Sequence, residues 1–230
     1  MAIRITIKVN PRTYLRDPSE TDLGKKIIKH GIAVLSETGF HCFNFKQLAK
    51  EMGSTEASIY RYFENKHFLL IYLTSWYWDY LDYLIMINTR NIADPKERLK
   101  IAIKTMVDGS TEASPVDYID QKKLHRIVVE HSTKVFHNKK IDMTDRCGLF
   151  KNFTNLNKNI ANLITSCNEN FKYPHSLATN LVKLAIDHTY YAEHMCAITE
   201  ITNCIQTKKD QLNEMLNYFV DRLLATAEMK

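Results

Sequence analysis

Apolar residues along most of this chain recur at intervals of three and four, the spacing that places them on one side of an α-helix. The first such segment, residues 23–35, carries Leu23, Ile27 and Ile28. Only six Gly and five Pro occur among the 230 residues, and this scarcity favours long helices. Residues 3–9 differ, because apolar and polar residues alternate there as in a β-strand. The pattern predicts an all-α fold of about nine helices that follows a short N-terminal arm.

Two of the predicted helices are short and lie close together between residues 43 and 70. Asn44 is a suitable N-cap for the first, and Gly53 stands where that helix should end, since glycine tolerates the left-handed conformation that follows a helix C-terminus. Thr55 caps the second, whose apolar residues recur at i and i+4 and face the first helix. Two short helices joined by a tight turn predict a helix-turn-helix, in which the second helix enters the major groove of DNA.

Further sequence features flank this unit at fixed spacings. A longer amphipathic helix precedes it and ends near Gly39 and Phe40, and Asn65 caps the helix that follows. Over residues 20–70 the sequence resembles the TetR family of bacterial transcriptional regulators. The positions that carry the resemblance are Gly39-Phe40, Asn44, Leu48-Ala49, Gly53-Ser54-Thr55, Ile59-Tyr60-Arg61-Tyr62-Phe63 and Lys66-His67. Three residues depart from the family's preferences, namely Gly31 for Ala, Ser54 for Val and His67 for Glu.

The resemblance implies a division of the chain into three parts. They are an N-terminal arm (1–17), a helix-turn-helix DNA-binding domain (18–68), and a helical domain for ligand binding and dimerisation (69–230).

The residues expected to contact DNA lie in and beside the two short helices. Ala57 can touch a thymine methyl, Ser58 can donate or accept a hydrogen bond, and Arg61 can pair with guanine or a phosphate. The resemblance implies that Tyr60, Tyr62 and Lys66, at matching family positions, hold the phosphate backbone. Lys46 and Gln47 lie at the start of the first short helix, whose N-terminal amides can also meet a phosphate. The capping residues Asn44 and Thr55 complete the predicted set.

Positive charge is concentrated in the first third of the chain. The net charge is +5, and residues 1–72 contain eleven Lys and Arg against seven Asp and Glu. This asymmetry is typical of a small nucleic-acid-binding domain joined to a near-neutral body. The basic residues of the arm either reach a DNA backbone or minor groove, or belong to a segment that packs on the body or stays solvated. They are Arg4, Lys8, Arg12 and Arg16.

Proline marks two helix starts in the body, because its fixed φ suits the first turn. Asp94-Pro95-Lys96-Glu97 is a capping box that predicts a helix to about residue 107. Ser114-Pro115 predicts the start of the next helix, to about residue 135.

The helix after the DNA-binding domain carries aromatic residues at every fourth position. Such a stripe is more often core than binding site. Aromatic residues with polar ends also suit small-molecule recognition, however. We therefore expect a largely apolar effector pocket near Trp76 or Tyr80, with Tyr191 and His194 of a later helix as polar anchors.

The last predicted helix has a wide apolar stripe. Together with the helix before it, it is expected to form a four-helix bundle between two protomers. The expected interface residues are Leu212, Leu216, Phe219 and Leu223.

Motifs of enzymes and metal sites are missing from the sequence. It carries no phosphate-binding Gly loop, no G-x-S-x-G and no H-E-x-x-H, so we expect neither catalysis nor a cofactor. Asp187 and His194 share a helix face, but without a tighter ligand set we predict no metal site. The five cysteines form no C-x-x-C pair, and no apolar run approaches the ~20 residues that span a bilayer. We expect a cytoplasmic protein with reduced thiols and no membrane contact.

These features predict a homodimeric transcriptional regulator that binds double-stranded DNA. We expect a repressor that an unknown small-molecule effector releases from a palindromic operator. Two alternatives stay open. One is a redox- or metal-sensing regulator on the same fold, and the other is a helical interaction protein or enzyme that has lost operator binding.

Overall fold

The structure, a computed structural model, describes residues 7–109, 114–136, 148–202 and 207–225. Within these residues it contains nine α-helices, three 3-10 turns and no strand, which confirms the all-α prediction. The helices are α1 (Asp22–Cys42), α2 (Phe45–Glu51), α3 (Glu56–Tyr60), α4 (Lys66–Thr89), α5 (Pro95–Asp108), α6 (Gln121–Phe136), α7 (Lys151–Cys167), α8 (Pro174–His194) and α9 (Lys208–Ala225). The 3-10 turns are Pro11–Thr13, Pro18–Glu20 and Cys196–Ile198.

The chain packs as two compact units. The first comprises residues 1–79 and 110–153, and the second comprises residues 80–109 and 154–230. The division falls inside α4, so this helix contributes residues to both units. The boundary predicted after residue 68 is one between functions, which a division into packing units does not test. It stays a prediction.

Near the start of α1, Gly24 lies so close to the backbone of Pro18 that only glycine fits. Thr21 caps α1, and its Oγ1 accepts a hydrogen bond from the Gly24 N–H at 3.0 Å. Gly24 lies against the preceding 3-10 turn, where a Cβ atom would lie 2.3 Å from the carbonyl oxygen of Pro18. Farther along, Ile28 of α1 and Leu48 of α2 are completely buried in the core of the unit.

Two helix starts show how capping sets the boundaries. The first, α5, begins at Pro95 as predicted, and the Asp94 carboxylate accepts the Glu97 N–H at 2.9 Å. Although Ser114-Pro115 predicts an earlier start for α6, that helix begins at Gln121, and residues 114–120 form turns and bends. The Asp120 carboxylate accepts the Lys123 N–H at 3.0 Å and caps α6 at this later start.

The described part of the arm packs on the first unit. Val9 is buried, the backbone N–H of Lys8 donates to Asp79, and the carbonyl of Lys8 accepts a hydrogen bond from Asn152 Nδ2 at 3.0 Å. These contacts favour the packed arm over a solvated tail. Of the arm's basic residues, Arg4 lies outside the described residues, and the others, Lys8, Arg12 and Arg16, have exposed side chains.

In the second unit, α9 packs against α5 and α8. Its buried side chains are Leu212, Leu216 and Val220. Across the described ranges, no helix combines the length and apolarity needed to cross a bilayer.

Candidate nucleic-acid interface

The helix-turn-helix is built from the caps expected of it. Asn44 Oδ1 accepts the Gln47 N–H at 2.9 Å and so caps α2. Gly53 has φ +61°, the left-handed conformation that turns the chain out of α2. Thr55 then caps α3 through the Ser58 N–H at 3.4 Å, and the hydroxyl groups of Thr55 and Ser58 lie 2.9 Å apart. The result is a five-residue α3 held on α2.

Most of the side chains predicted to contact DNA are exposed on this unit. Those of Asn44, Lys46, Thr55, Ala57, Tyr60 and Arg61 are exposed, and those of Gln47 and Ser58 are half-buried. The ring of Tyr60 packs edge-on against Phe45, with centroids 5.1 Å apart, which restrains the ring while leaving it 48% exposed. The exposed Lys50 on α2 adds a positive charge that the sequence analysis did not select.

Tyr62 occupies a different environment. It is 2% exposed, and its hydroxyl group lies 2.7 Å from Thr21 Oγ1. Its carbonyl oxygen accepts the Leu15 N–H at 2.7 Å, and the Arg16 guanidinium lies over its ring at 5.6 Å. The side chain therefore joins the arm and α1 to the end of α3, and it is not placed to touch a phosphate.

Lys66 is also committed to contacts inside the protein. Its Nζ donates to the carbonyl oxygens of Phe40 at 3.0 Å, His41 at 3.1 Å and Phe43 at 2.9 Å. A lysine ammonium group has three donors, so these bonds use all of them. Lys66 thus stabilises the C-terminal end of α1, where carbonyl groups lack helical partners. The structure shows a capping role at the position where the resemblance implies a phosphate contact.

A residue from far along the chain also contacts this C-terminal end of α1. Gly39 has φ +69° and introduces a kink near the end of α1. The backbone N–H of the next residue, Phe40, donates to Nε2 of His131 on α6 at 3.1 Å. The two residues are 91 positions apart, and no pattern in the sequence links them.

The residues predicted for an effector pocket have differing environments. Trp76 and Tyr80 on α4 are almost completely buried, Tyr191 on α8 is half-buried, and His194 is exposed at the end of α8. The Tyr190 and His194 rings are in contact, with centroids 4.6 Å apart and planes tilted by 45°. A cavity of about 230 Å³ in the second unit is lined instead by residues of α5, α7 and α9, and the four predicted residues do not border it.

The predicted dimer residues divide between two faces of α9. Leu212 and Leu216 are buried within their own protomer, so they have no surface left for a partner to cover. Phe219 and Leu223 are 39% and 45% exposed, and the neighbouring Tyr218 is 56% exposed. The apolar surface that α9 offers to a second copy is therefore narrower than its sequence stripe.

The His, Cys, Asp and Glu residues bear on the alternative of a metal or redox sensor. In the parts of the chain that the structure describes, no three His, Cys, Asp or Glu residues are grouped to hold a metal ion. Cys42 and Cys196 are exposed free thiols, and burial raises the pKa of the Cys167 thiol, which favours the less reactive protonated form. Cys147 and Cys204 lie outside the described residues.

Comparison with known proteins gives a match in the helix-turn-helix segment and matches to the whole fold. Residues 27–73 match the family model described as bacterial regulatory proteins, tetR family. No curated protein matches the sequence.

Three similar solved structures are regulators. A transcriptional regulator from Rhodococcus sp. Rha1 has a TM-score of 0.64 and 12% identity, over 90% of this chain and 97% of that one. FadR, a fatty acid degradation regulator from Bacillus halodurans, has a TM-score of 0.60 and 16% identity, over 87% and 95% of the two chains. AibR in complex with isovaleryl coenzyme A and operator DNA has a TM-score of 0.57 and 12% identity, over 85% and 97%. At these identities the likeness concerns the fold.

Proposed function

Because this chain has the fold of TetR-family transcriptional regulators and matches their family model in its N-terminal helices, we propose that it is a homodimeric regulator of transcription. Each protomer places α3 in the major groove of double-stranded DNA. The observation that carries the proposal is the capped helix pair α2–α3, which holds a row of exposed polar and small side chains around Tyr60.

The proposed DNA contacts follow from exposure and chemistry. Ala57, Ser58 and Arg61 face solvent in part or in full and contact base edges, with Arg61 pairing with guanine. Lys46 and Tyr60 contact the phosphate backbone from either side of the turn. Tyr62 and Lys66 contribute by fixing the position of α3 relative to α1, through the internal contacts described above.

Two protomers are needed because five residues of α3 make few base contacts. A two-fold axis then places two α3 helices about 34–36 Å apart, one helical turn of DNA, and requires a palindromic operator. The exposed Phe219 and Leu223 on α9 supply the apolar contact between protomers.

We propose that a small-molecule effector controls this binding. A ligand that binds better to a conformation with the wrong spacing of α3 helices would release the dimer from DNA, and a coupling of about 1–3 kcal/mol would weaken binding about 5–150-fold. The solved complex of AibR contains both isovaleryl coenzyme A and operator DNA, which supports an effector role for proteins of this fold. The pocket residues Trp76, Tyr80, Tyr191 and His194 remain predictions.

A selection from randomised duplex DNA tests the function. The purified protein should enrich a palindrome whose half-sites lie about one helical turn apart, and light scattering of the complex should give two protomers for each duplex. Enrichment of no sequence would contradict operator binding and would favour a helical interaction protein instead.

A further inference from the structure

The corner between α1 and α2 is fixed by groups from three helices. Phe40 lies at this corner, three residues before Phe43, which together with Asn44 connects α1 to α2. Its carbonyl accepts a hydrogen bond from Lys66 of α4, and its N–H donates to His131 of α6. Any shift at Phe40 therefore moves the start of α2.

His131 can fix the position of this corner because its own side chain has little freedom to move. Its side chain is 8% exposed on α6, and a Cβ atom on Gly39 would lie 3.8 Å from its Nε2. To accept the Phe40 N–H, Nε2 must carry no proton, so the ring is the neutral form protonated at Nδ1. This hydrogen bond is partly buried, so loss of the acceptor would be costly for the Phe40 N–H.

The charged groups around the imidazole act in both directions. Lys134 Nζ lies 3.4 Å from Nδ1, and Glu130 Oε2 lies 3.6 Å from Nε2. Burial is the largest influence on the His131 pKa and lowers it, Lys134 lowers it further, and Glu130 opposes them in part.

Neighbouring elements add further charged and titratable groups within the described residues. From α4, the Lys66 ammonium lies 4.9 Å from the centre of the Phe40 ring, and the His67 ring lies 6.4 Å from it. From α1, Glu37 pairs with Lys123 of α6 at 3.4 Å. Among these groups, Lys134 is the positive charge that disfavours a protonated His131 in addition to its burial.

We propose that His131 is a positioning residue for DNA binding: by accepting the Phe40 N–H it fixes the orientation of the α2–α3 pair, and its protonation releases that pair. The inference rests on the proposed function. It assigns to α6, which bears none of the DNA-contacting residues, a direct mechanical connection to the helices that carry them.

The sign of the pH dependence follows from the direction of the shift. The pKa of His131 in the folded protein lies below its ordinary value of about 6.5, so the folded state favours the neutral ring. The hydrogen bond is therefore fully present above about pH 6.5 and is lost as the pH falls through the lowered pKa. DNA affinity should fall in the same window.

Two substitutions separate hydrogen bonding from titration. In His131→Gln the amide oxygen reaches a position similar to Nε2 and accepts the Phe40 N–H at every pH. In His131→Leu no acceptor is present. The probe is a duplex enriched from a randomised library by the wild-type protein, and affinity is measured by fluorescence anisotropy from about pH 5.5 to about pH 8 at constant ionic strength.

At neutral pH we expect His131→Leu to bind about tenfold more weakly, and His131→Gln to bind within about twofold of wild type. The affinity of wild type relative to His131→Gln should decline as the pH falls from about 6.5 through the lowered pKa of His131. The ratio isolates His131, because the other eight histidines are common to both proteins. Exchange of the Phe40 amide with solvent should be slow in wild type and His131→Gln and fast in His131→Leu.

The outcomes separate this inference from the proposed function. If no duplex is enriched, both are overturned. Two results would overturn the positioning role while the function stands, provided that the wild type binds a duplex. One is equal binding by His131→Leu, and the other is a ratio of wild-type affinity to His131→Gln affinity that stays constant with pH. If His131→Leu fails to fold, the pH dependence of the ratio of wild-type affinity to His131→Gln affinity decides whether the positioning role stands.

Discussion

Single residues in this protein have roles that their type alone does not reveal, and the glycines of α1 are an example. Gly24 and Gly31 both lie within the helix, where glycine is usually unfavourable. A Cβ atom on Gly24 would collide with backbone atoms of Pro18, whereas on Gly31 it would meet only Leu69 Cδ2 at 3.5 Å and Leu48 Cδ2 at 4.0 Å. The departure from the family's alanine at Gly31 is thus not required by space.

These contacts predict opposite effects for the same substitution. Gly24→Ala should destabilise the protein by about 1–3 kcal/mol, since the backbone of Pro18 must move. Gly31→Ala should stabilise it by about 0.5–1 kcal/mol, because alanine loses less conformational entropy in a helix. Urea unfolding of both variants measures the difference, and equal effects of the two substitutions would contradict this description of α1.

Two lysines near the DNA-binding helices provide a second residue-scale test. Lys66 caps α1 from inside, whereas Lys46 is exposed at the start of α2. Lys46→Ala should reduce the slope of log affinity against log salt by about one unit and leave stability unchanged. Lys66→Ala should lower the unfolding free energy by about 1–3 kcal/mol, through lost hydrogen bonds, and leave the salt slope unchanged.

The salt slope and the urea midpoint are therefore the deciding measurements for this pair. A reduced slope in Lys66→Ala without loss of stability would restore the phosphate contact that the resemblance implies. An unchanged slope in Lys46→Ala would remove Lys46 from the interface.

At the scale of elements, local capping chemistry was the most informative signal. Asn44, Thr55 and Asp94 all cap the helices that the sequence predicts for them. The start of α6 was misplaced because two capping signals, Ser114-Pro115 and Asp120, compete within seven residues. Propensity alone does not decide between them, since tertiary contacts of the later segment contribute.

The apolar stripe of α9 shows a further limit of prediction from the sequence pattern. A stripe that contains Leu212, Leu216, Phe219 and Leu223 shows which side of the helix is apolar, but it does not show whether the protomer's own core or a partner covers it. The structure assigns Leu212 and Leu216 to the protomer core and leaves Phe219 and Leu223 exposed.

Substitutions on α9 test this assignment. Phe219→Glu should yield monomers with nearly unchanged protomer stability, because the residue is 39% exposed before association and a carboxylate in the interface would lack a partner. Leu216→Ala, at a completely buried position, should lower stability by about 2–5 kcal/mol instead. Light scattering and urea unfolding measure the two effects, and a stable Phe219→Glu dimer would exclude this face of α9 as the interface.

For the whole molecule, local sequence patterns predict the fold class and the helix-turn-helix. They do not predict the contacts between distant parts of the chain. The hydrogen bond between Phe40 and His131 joins residues 91 positions apart, and neither helical period nor capping identifies the pair. The burial of Tyr62 and the three carbonyl partners of Lys66 are likewise products of how α1, α3 and α4 pack. Sequence pattern identifies the helices proposed to approach DNA, and packing decides which of their side chains are exposed.

Under the proposed function, α3 of each protomer contacts bases in a symmetric site. The most direct measurement is the affinity of wild type and Arg61→Ala for every single-base-pair variant of the enriched duplex. We predict that Arg61→Ala loses about 1–3 kcal/mol of discrimination at one base pair in each half-site, at positions related by the two-fold axis, and keeps it elsewhere. Equal discrimination by the two proteins at every position would contradict base recognition by α3.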